Sequence, residues 1–449
     1  MSQSSALGSK PVGKLLVGQA VPASIGFLVM SIYGIVDTIF VGKWVGSLAI
    51  AAITVVIPIS FLISSIGMAI GIGGASVISR SLGSDNKPKA LLAFGNQIAL
   101  TISLAVIIMI LGFCFQAPIL KLFGGRGDIL APASVYFRGI LLGIPFLAWA
   151  MMSNNVMRAL GAPKMAMFVL LVPAVLNIIL DPIFIVAFDW GLAGAAWATA
   201  FSYVASAGFA VWFFFFSGRS ELRITPVQLI LKWSMVREIF SIGIVTLARQ
   251  GTISLLAIVL NNSLFTYGGE LAVSVYGIIN RMMMLVNFPV IGITQGFIPI
   301  AGYNYGAKQW SRVRAVIRLA IRYGTGIASL LCIGILIFAH LLANIFTNDA
   351  ALMDASPMAI RIAFMATPFI TLQLISSAYF QAIGKPIPAL LLTLTKQGFF
   401  LIPLILILPG FWGLNGIWIA FPIADTLSAV FCYYFLIREA NRTLQVADQ

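Results

Sequence analysis

Two acids stand alone in apolar surroundings. Asp37 lies in SIYGIVDTIFV and Asp181 in LNIILDPIFIV, each flanked on both sides by apolar residues. A carboxylate in such a run is costly to place and is a functional candidate by default. Asn177 sits four residues before Asp181, on the same face of a helix. Thr199, in the next apolar run, adds a hydroxyl. Two carboxylates, an amide and a hydroxyl suit a hard cation such as Na⁺. They equally suit two acids whose proton affinities are driven apart so that one keeps its proton. The alternative is that each Asp satisfies backbone groups locally, Asp181 beside the helix-bending Pro182. Pro22 precedes Asp37 by fifteen residues in the same run. It removes one backbone hydrogen bond, and reads either as a hinge answering the charge of Asp37 or as a static bend.

A second set is basic. Arg249, Arg281 and Lys396 fall in apolar runs of the second half with one acid, Asp425. Buried charges pair, so one reading is a structural cluster around Asp425, although three cations to one acid leaves a surplus. The other is a basic wall of a central cavity. Met282, Met283 and Met284 offer an adaptable surface or simple filler, as do Phe213–Phe216. The single histidine, His340, and the three cysteines, Cys114, Cys332 and Cys432, form no C-x-x-C pair, so neither zinc nor a disulfide framework is indicated. A Walker A motif and a D-D-x-x-D cluster are both missing. ATP use and magnesium-dependent transferase chemistry are therefore not expected. The chain is expected to be neither an enzyme nor in need of a cofactor.

The elements that must position these residues are long and apolar. Of 449 residues, 60% are hydrophobic and 9% charged, with a mean hydropathy of +1.04. Soluble domains carry about 25% charged residues, so an ordinary soluble protein is excluded. Disorder is excluded by the same numbers. Twelve apolar segments are read at about 15–41, 48–78, 91–116, 135–157, 166–187, 192–216, 238–262, 271–302, 317–345, 358–382, 388–409 and 414–437. At about 20 residues per span they predict membrane helices. They are continuous and not alternating, which argues against a barrel.

With the N-terminus inside, the inner segments hold nineteen Lys and Arg and the outer loops three, Lys43, Lys121 and Arg126. This positive-inside bias predicts both termini in the cytoplasm and accounts for most of the net charge of +14 without nucleic acid. The chain also repeats. A shift of 223 puts Arg138, Pro145, Phe146, Ser153, Ala159, Gly161 and Pro163 on Arg361, Pro368, Phe369, Ser376, Ala382, Gly384 and Pro386. A shift of 222 puts Trp190-Gly191-Leu192 on Trp412-Gly413-Leu414. Six helices per half make the halves parallel repeats. The expected fold is an all-α membrane protein, twelve transmembrane helices in two six-helix repeats around a central cavity. Its parts are an N-lobe (1–216), a cytoplasmic linker (217–237) and a C-lobe (238–449). A short amphipathic helix near Val227–Trp233 is expected on the inner membrane surface.

In this order the motifs resemble the multidrug and toxic compound extrusion (MATE) transporters, and within them the prokaryotic, DinF-like branch. The resemblance rests on Asp37, the N-x-x-x-D of Asn177 and Asp181, Thr199, the R-A-L-G-x-P of Arg158–Pro163 and the run Gly296–Gly306. It implies that Asp37, Asn177, Asp181 and Thr199 form the coupling site, ligating the ion directly if that ion is Na⁺. It links Tyr33 and Asn154 to that site and makes Pro22 the bending proline. The C-lobe acids of other branches are missing, since Asp37 maps to Leu260 and Asp181 to Leu404. The implied activity is export of organic, cationic amphiphiles in exchange for H⁺ or Na⁺. The implied setting is a monomer in a bacterial or archaeal inner membrane, in contact with lipid and not nucleic acid. The basic C-lobe residues support an alternative, a flippase or exporter of lipid-linked or anionic substrates.

Overall fold

A computed structural model describes residues 4–346 and 349–444. Twelve helices cross from end to end: α1 Val12–Trp44, α2 Ser47–Gly83, α3 Lys87–Cys114, α4 Gly127–Ala159, α5 Pro163–Ala187 and α6 Gly191–Phe216. After the linker, Trp233–Gly306 runs on as one 74-residue stretch, broken at Gly269 where φ reaches 63°. The break separates α7 (233–268) from α8 (270–306). Then follow α9 Trp310–Phe346, α10 Ala350–Ala382, α11 Pro386–Trp412 and α12 Leu414–Ala440. Their length and apolar composition suit a membrane span. No strand occurs among the described residues. The expected all-helical fold with two six-helix repeats is the observed one.

The repeat is written into the backbone more firmly than into the side chains. Left-handed φ values recur at the same shift: Gly46 and Gly269 (112° and 63°), Asp85 and Lys308 (57° and 55°), Gly161 and Gly384 (76° and 77°). Gly191 and Gly413 (52° and 56°) follow at 222. At Gly46 and its counterpart the helix must stop within one residue, and glycine reaches that conformation without a Cβ clash. Hydrogen bonds repeat too. The Asn86 N–H donates to Ser81 O at 2.8 Å, and the Gln309 N–H to Asn304 O at 2.9 Å. The Asn154 amide donates to Ala166 O at 2.5 Å, and the Ser377 hydroxyl to Ala389 O at 3.1 Å.

The described chain divides into two compact units, residues 4–9 with 25–246, and residues 10–24 with 247–444. The units cross the repeat boundary at two helices, and close packing explains both crossings. In the first unit, the start of α7 meets α2 backbone to backbone. A methyl at Gly73 would stand 2.1 Å from the Ile239 carbonyl oxygen, and one at Gly243 would stand 2.5 Å from the Ala69 carbonyl oxygen. Small residues allow such approach, which supplies van der Waals contact where lipid removes the hydrophobic drive. Glu238 on α7 adds ion pairs to Arg80 of α2 at 3.1 Å and Lys89 of α3 at 3.0 Å. In the second unit, the start of α1 packs on α8. A methyl at Gly296 would lie 2.9 Å from the Ala20 amide nitrogen, and Arg312 donates to Lys10 O at 2.7 Å.

One prediction follows at the α2–α7 crossing. Gly73→Val is expected to lower the thermal midpoint and the detergent-stable yield, since the obstacle is backbone and overpacking costs about 1–3 kcal/mol or more. Gly208→Ala, where a methyl meets nothing within 4 Å, is expected to be neutral. Fluorescence-detected size exclusion after heating ranks the two; equal midpoints would remove the crossing from the account.

Candidate functional site

The acid pair is assembled by three helices of the first unit. Asp37 comes from α1 and is buried, and Asp181 and Asn177 come from α5, both fully enclosed. Helix α5 is regular as far as Asp181, then widens into a π-turn over Pro182–Ala187. Pro182 lacks the N–H that would continue the ladder, so the widening begins there. Single π-turns of this kind cluster at functional sites. Thr199 on α6 completes the set.

The Asn177 amide donates to Asp181 Oδ1 at 3.1 Å and to Thr199 Oγ1 at 3.3 Å. The Asp37 and Asp181 carboxyl groups lie within hydrogen-bonding reach of each other. Three buried oxygens here, Asp37 Oδ1, Asp181 Oδ2 and Asn177 Oδ1, have no donor. Acceptors facing acceptors are repulsive unless a proton or a cation stands between them. Of the residues read from the sequence, the structure therefore brings Asp37, Asn177, Asp181 and Thr199 together. No cluster of three or more His, Cys, Asp or Glu occurs among the described residues, so a transition-metal centre has no ligand set.

Three tyrosines surround the pair. Tyr33, one turn before Asp37, faces Tyr203 on α6, and Asp37 lies near both. Tyr136 on α4 reaches Thr199 and lies near both acids. The sequence reading omitted Tyr136 and Tyr203. Tyr203 was within reach of the rule used for Asn177, since it follows Thr199 by four residues. Tyr136 carried no such signal. It arrives because α4 and α6 touch closely, a methyl at Gly139 falling 2.6 Å from Ala196 Cβ.

Asn154 spends its bonds elsewhere. Its amide goes to Ala166 O and its oxygen accepts from Arg158 Nε at 3.2 Å, joining α4 to α5. Its repeat partner Ser377 does the same for α10 and α11, which marks a packing device of the fold. Pro22 is buried inside α1 without interrupting it, two residues before the passage from one compact unit to the other.

The basic set of the second unit separates. Lys396 pairs with the buried Asp425 at 2.5 Å. Lys396 sits in a π-turn, Thr395–Leu401, so the fifth helix of each repeat widens at its intramembrane charge. Arg281 is exposed and lies over the Phe346 ring at 5.9 Å. Arg249 is half-buried, with no hydrogen bond or ion pair among the described residues. Met282 is buried while Met284 is exposed, and Phe213 and Phe214 are core while Phe215 and Phe216 are not. The three methionines and the four phenylalanines thus form no single surface. His340 is exposed, and the three cysteines are free.

Twelve spans in two six-helix repeats, with a buried acid pair towards the C-terminal ends of α1 and α5, are the build of a polytopic membrane transporter. The MatE family model matches residues 22–183 and 244–407, and the chain belongs to that family. It is 30% identical over 422 residues to the multidrug export protein MepA of Staphylococcus aureus, spanning 94% of this chain and 92% of that one. Among solved structures it is similar to an outward-facing multidrug resistance MATE family transporter of the MOP superfamily. The identity there is 25%, with 98% of each chain covered and a TM-score of 0.92. It is also similar to a MOP superfamily transporter of Pyrococcus furiosus, described as having a binding pocket of reverse polarity that suggests a different function. That likeness is 25% identical over 98% of each chain, with a TM-score of 0.91.

Proposed function

We propose that the chain is a secondary antiporter that exports organic, cationic amphiphiles in exchange for inward H⁺ or Na⁺. The observation that carries this reading is the facing pair Asp37 and Asp181, whose buried oxygens lack donors. Asn177 and Thr199 complete an oxygen set that takes one monovalent cation or one shared proton. The multidrug export named for the Staphylococcus aureus relative points to the substrate class. In the cycle, cation entry from outside neutralises the pair and α1 bends near Pro22, releasing substrate. The cation then leaves to the cytoplasm. Both termini face the cytoplasm of a bacterial or archaeal inner membrane, a reading that the lysine and arginine bias supports. The working unit is a monomer without a cofactor.

The test is uptake of a panel of fluorescent cationic dyes into everted vesicles, with pH and sodium gradients imposed one at a time. Dye accumulation is expected to collapse when one of the two gradients is dissipated, which names the coupling ion. Accumulation indifferent to both would overturn antiport.

A second reading, export of anionic substrates, draws on the unpaired charge of Arg249 and on the reverse polarity described for the Pyrococcus furiosus transporter. Lys396 supports it less, because Asp425 already takes its charge. Transport of an anionic conjugate that is lost in Arg249→Ala but kept in Asp37→Asn would favour it.

A further inference from the structure

The linker was expected to carry an amphipathic helix near Val227–Trp233. The structure has only one 3₁₀ turn there, Pro226–Leu229, followed by three non-helical residues. The reason is Asn96 on α3. Its amide donates to the carbonyls of Gln228 (3.0 Å) and Ile230 (3.1 Å), and its oxygen accepts from the Lys232 N–H at 2.8 Å. A helix would need those backbone groups for itself. Gly95 lets the turn lie directly on α3, since a methyl there would fall 2.3 Å from Gln228 O. Upstream, Leu222 is fully buried in the core of the first unit. The linker is therefore fixed on both sides of the turn.

What this fixed backbone presents is apolar. Val227, Ile230, Leu231 and Trp233 are 66%, 64%, 46% and 77% exposed. The strip is continuous in sequence with the lipid-length helix α7, and Phe216 at the end of α6 is 76% exposed. Four cations accompany it: Arg219, Arg223, Lys232 and Arg237, all exposed. Arg237 follows Trp233 by one turn on the same face of α7. None of the four side chains has a hydrogen bond or ion pair among the described residues. The acids nearby are engaged, Glu221 with Ser4 and Glu238 with Arg80 and Lys89. Tryptophan beside free cations at the end of a membrane helix is the composition of a headgroup contact.

We propose that residues 219–237 form a preformed binding platform for anionic phospholipid headgroups, with Trp233 and its apolar neighbours inserted at the interface and the four cations holding phosphate. Under the orientation proposed above, the lipid is that of the cytoplasmic leaflet. Because Asn96 ties the platform to α3, the bound lipid anchors the first compact unit against the bilayer.

The test uses the full chain in vesicles of phosphatidylcholine, doped with either brominated phosphatidylglycerol or brominated phosphatidylcholine, reading quenching of tryptophan emission. The wild type is expected to be quenched more by the brominated anionic lipid. That excess should vanish in Trp233→Phe. In single Arg219→Gln, Arg223→Gln, Lys232→Gln and Arg237→Gln variants the lipid preference should fall about fivefold for each charge removed. All five positions are on the surface, so the variants remain monodisperse. Equal quenching by the two lipids, or an excess that survives in Trp233→Phe or when Arg219, Arg223, Lys232 and Arg237 are all changed to Gln together, would overturn the platform. Quenching is read without transport, so failure here leaves the antiport reading standing.

Discussion

Asp37→Asn and Asp181→Asn are each expected to reduce concentrative export to equilibration while leaving the protein in the membrane. Asparagine keeps the size of the side chain at both positions, and at 181 also the capacity to accept from Asn177, so the packing of α1, α5 and α6 is preserved. What it loses is the charge that a coupling cation neutralises. One cation entering as one cationic dye leaves moves no net charge, so the driving force is the concentration gradient of the coupling ion. At about 1.4 kcal/mol per factor of ten, a tenfold ion gradient sustains a dye gradient of about tenfold. Removal of either acid uncouples the charge, and the accumulation ratio should fall from that order towards one. Asn177→Ala is expected to act in the same direction but less, because it removes a donor to Asp181 and not a charge. The measurement is steady-state dye accumulation at matched protein content. Full accumulation by both aspartate variants would sink the coupling role of the pair.

These residues were legible in the sequence because a membrane makes charge rare. Asp37 and Asp181 stood out against aliphatic neighbours, Asn177 followed from helical spacing, and Thr199 entered as a hydroxyl in the next apolar run that the family resemblance assigned to the site. The twelve spans were legible for the same reason, and Gly161 and Gly384 marked the repeat because a left-handed turn leaves little choice of residue. Tyr136 was not legible. Its place beside the acids depends on how α4 crosses α6, which no single helix encodes. Asn154 illustrates the converse. A polar residue in an apolar run looks functional, yet its bonds to Ala166 and Arg158 clamp two helices together. The linker misled through composition. Its residues suit an amphipathic helix, but Asn96, more than a hundred residues earlier, competes for the same backbone groups.

Lys396→Met is expected to be more destabilising than the double change Lys396→Met with Asp425→Leu. Asp425 is 2% exposed and takes its counter-charge from Lys396. Removing the lysine alone leaves a carboxylate buried without a cation, a situation that costs about 3–5 kcal/mol. Replacing both partners by apolar residues of similar volume removes the desolvation cost along with the attraction, and such exchanges are often neutral or stabilising. The double variant should therefore recover most of the thermal midpoint lost by the single one, in the same heated size-exclusion assay. A double variant no more stable than the single would show that the ion pair is not the stabilising unit. The stable double variant then separates the two functional readings. If the pair is structural and coupling resides at Asp37 and Asp181, it should still concentrate cationic dyes against a gradient. If instead Lys396 contributes to recognition of anions, the same folded protein should lose transport of an anionic conjugate, because neither Arg281, exposed over Phe346, nor Arg249 alone replaces a lysine held in place by its acid.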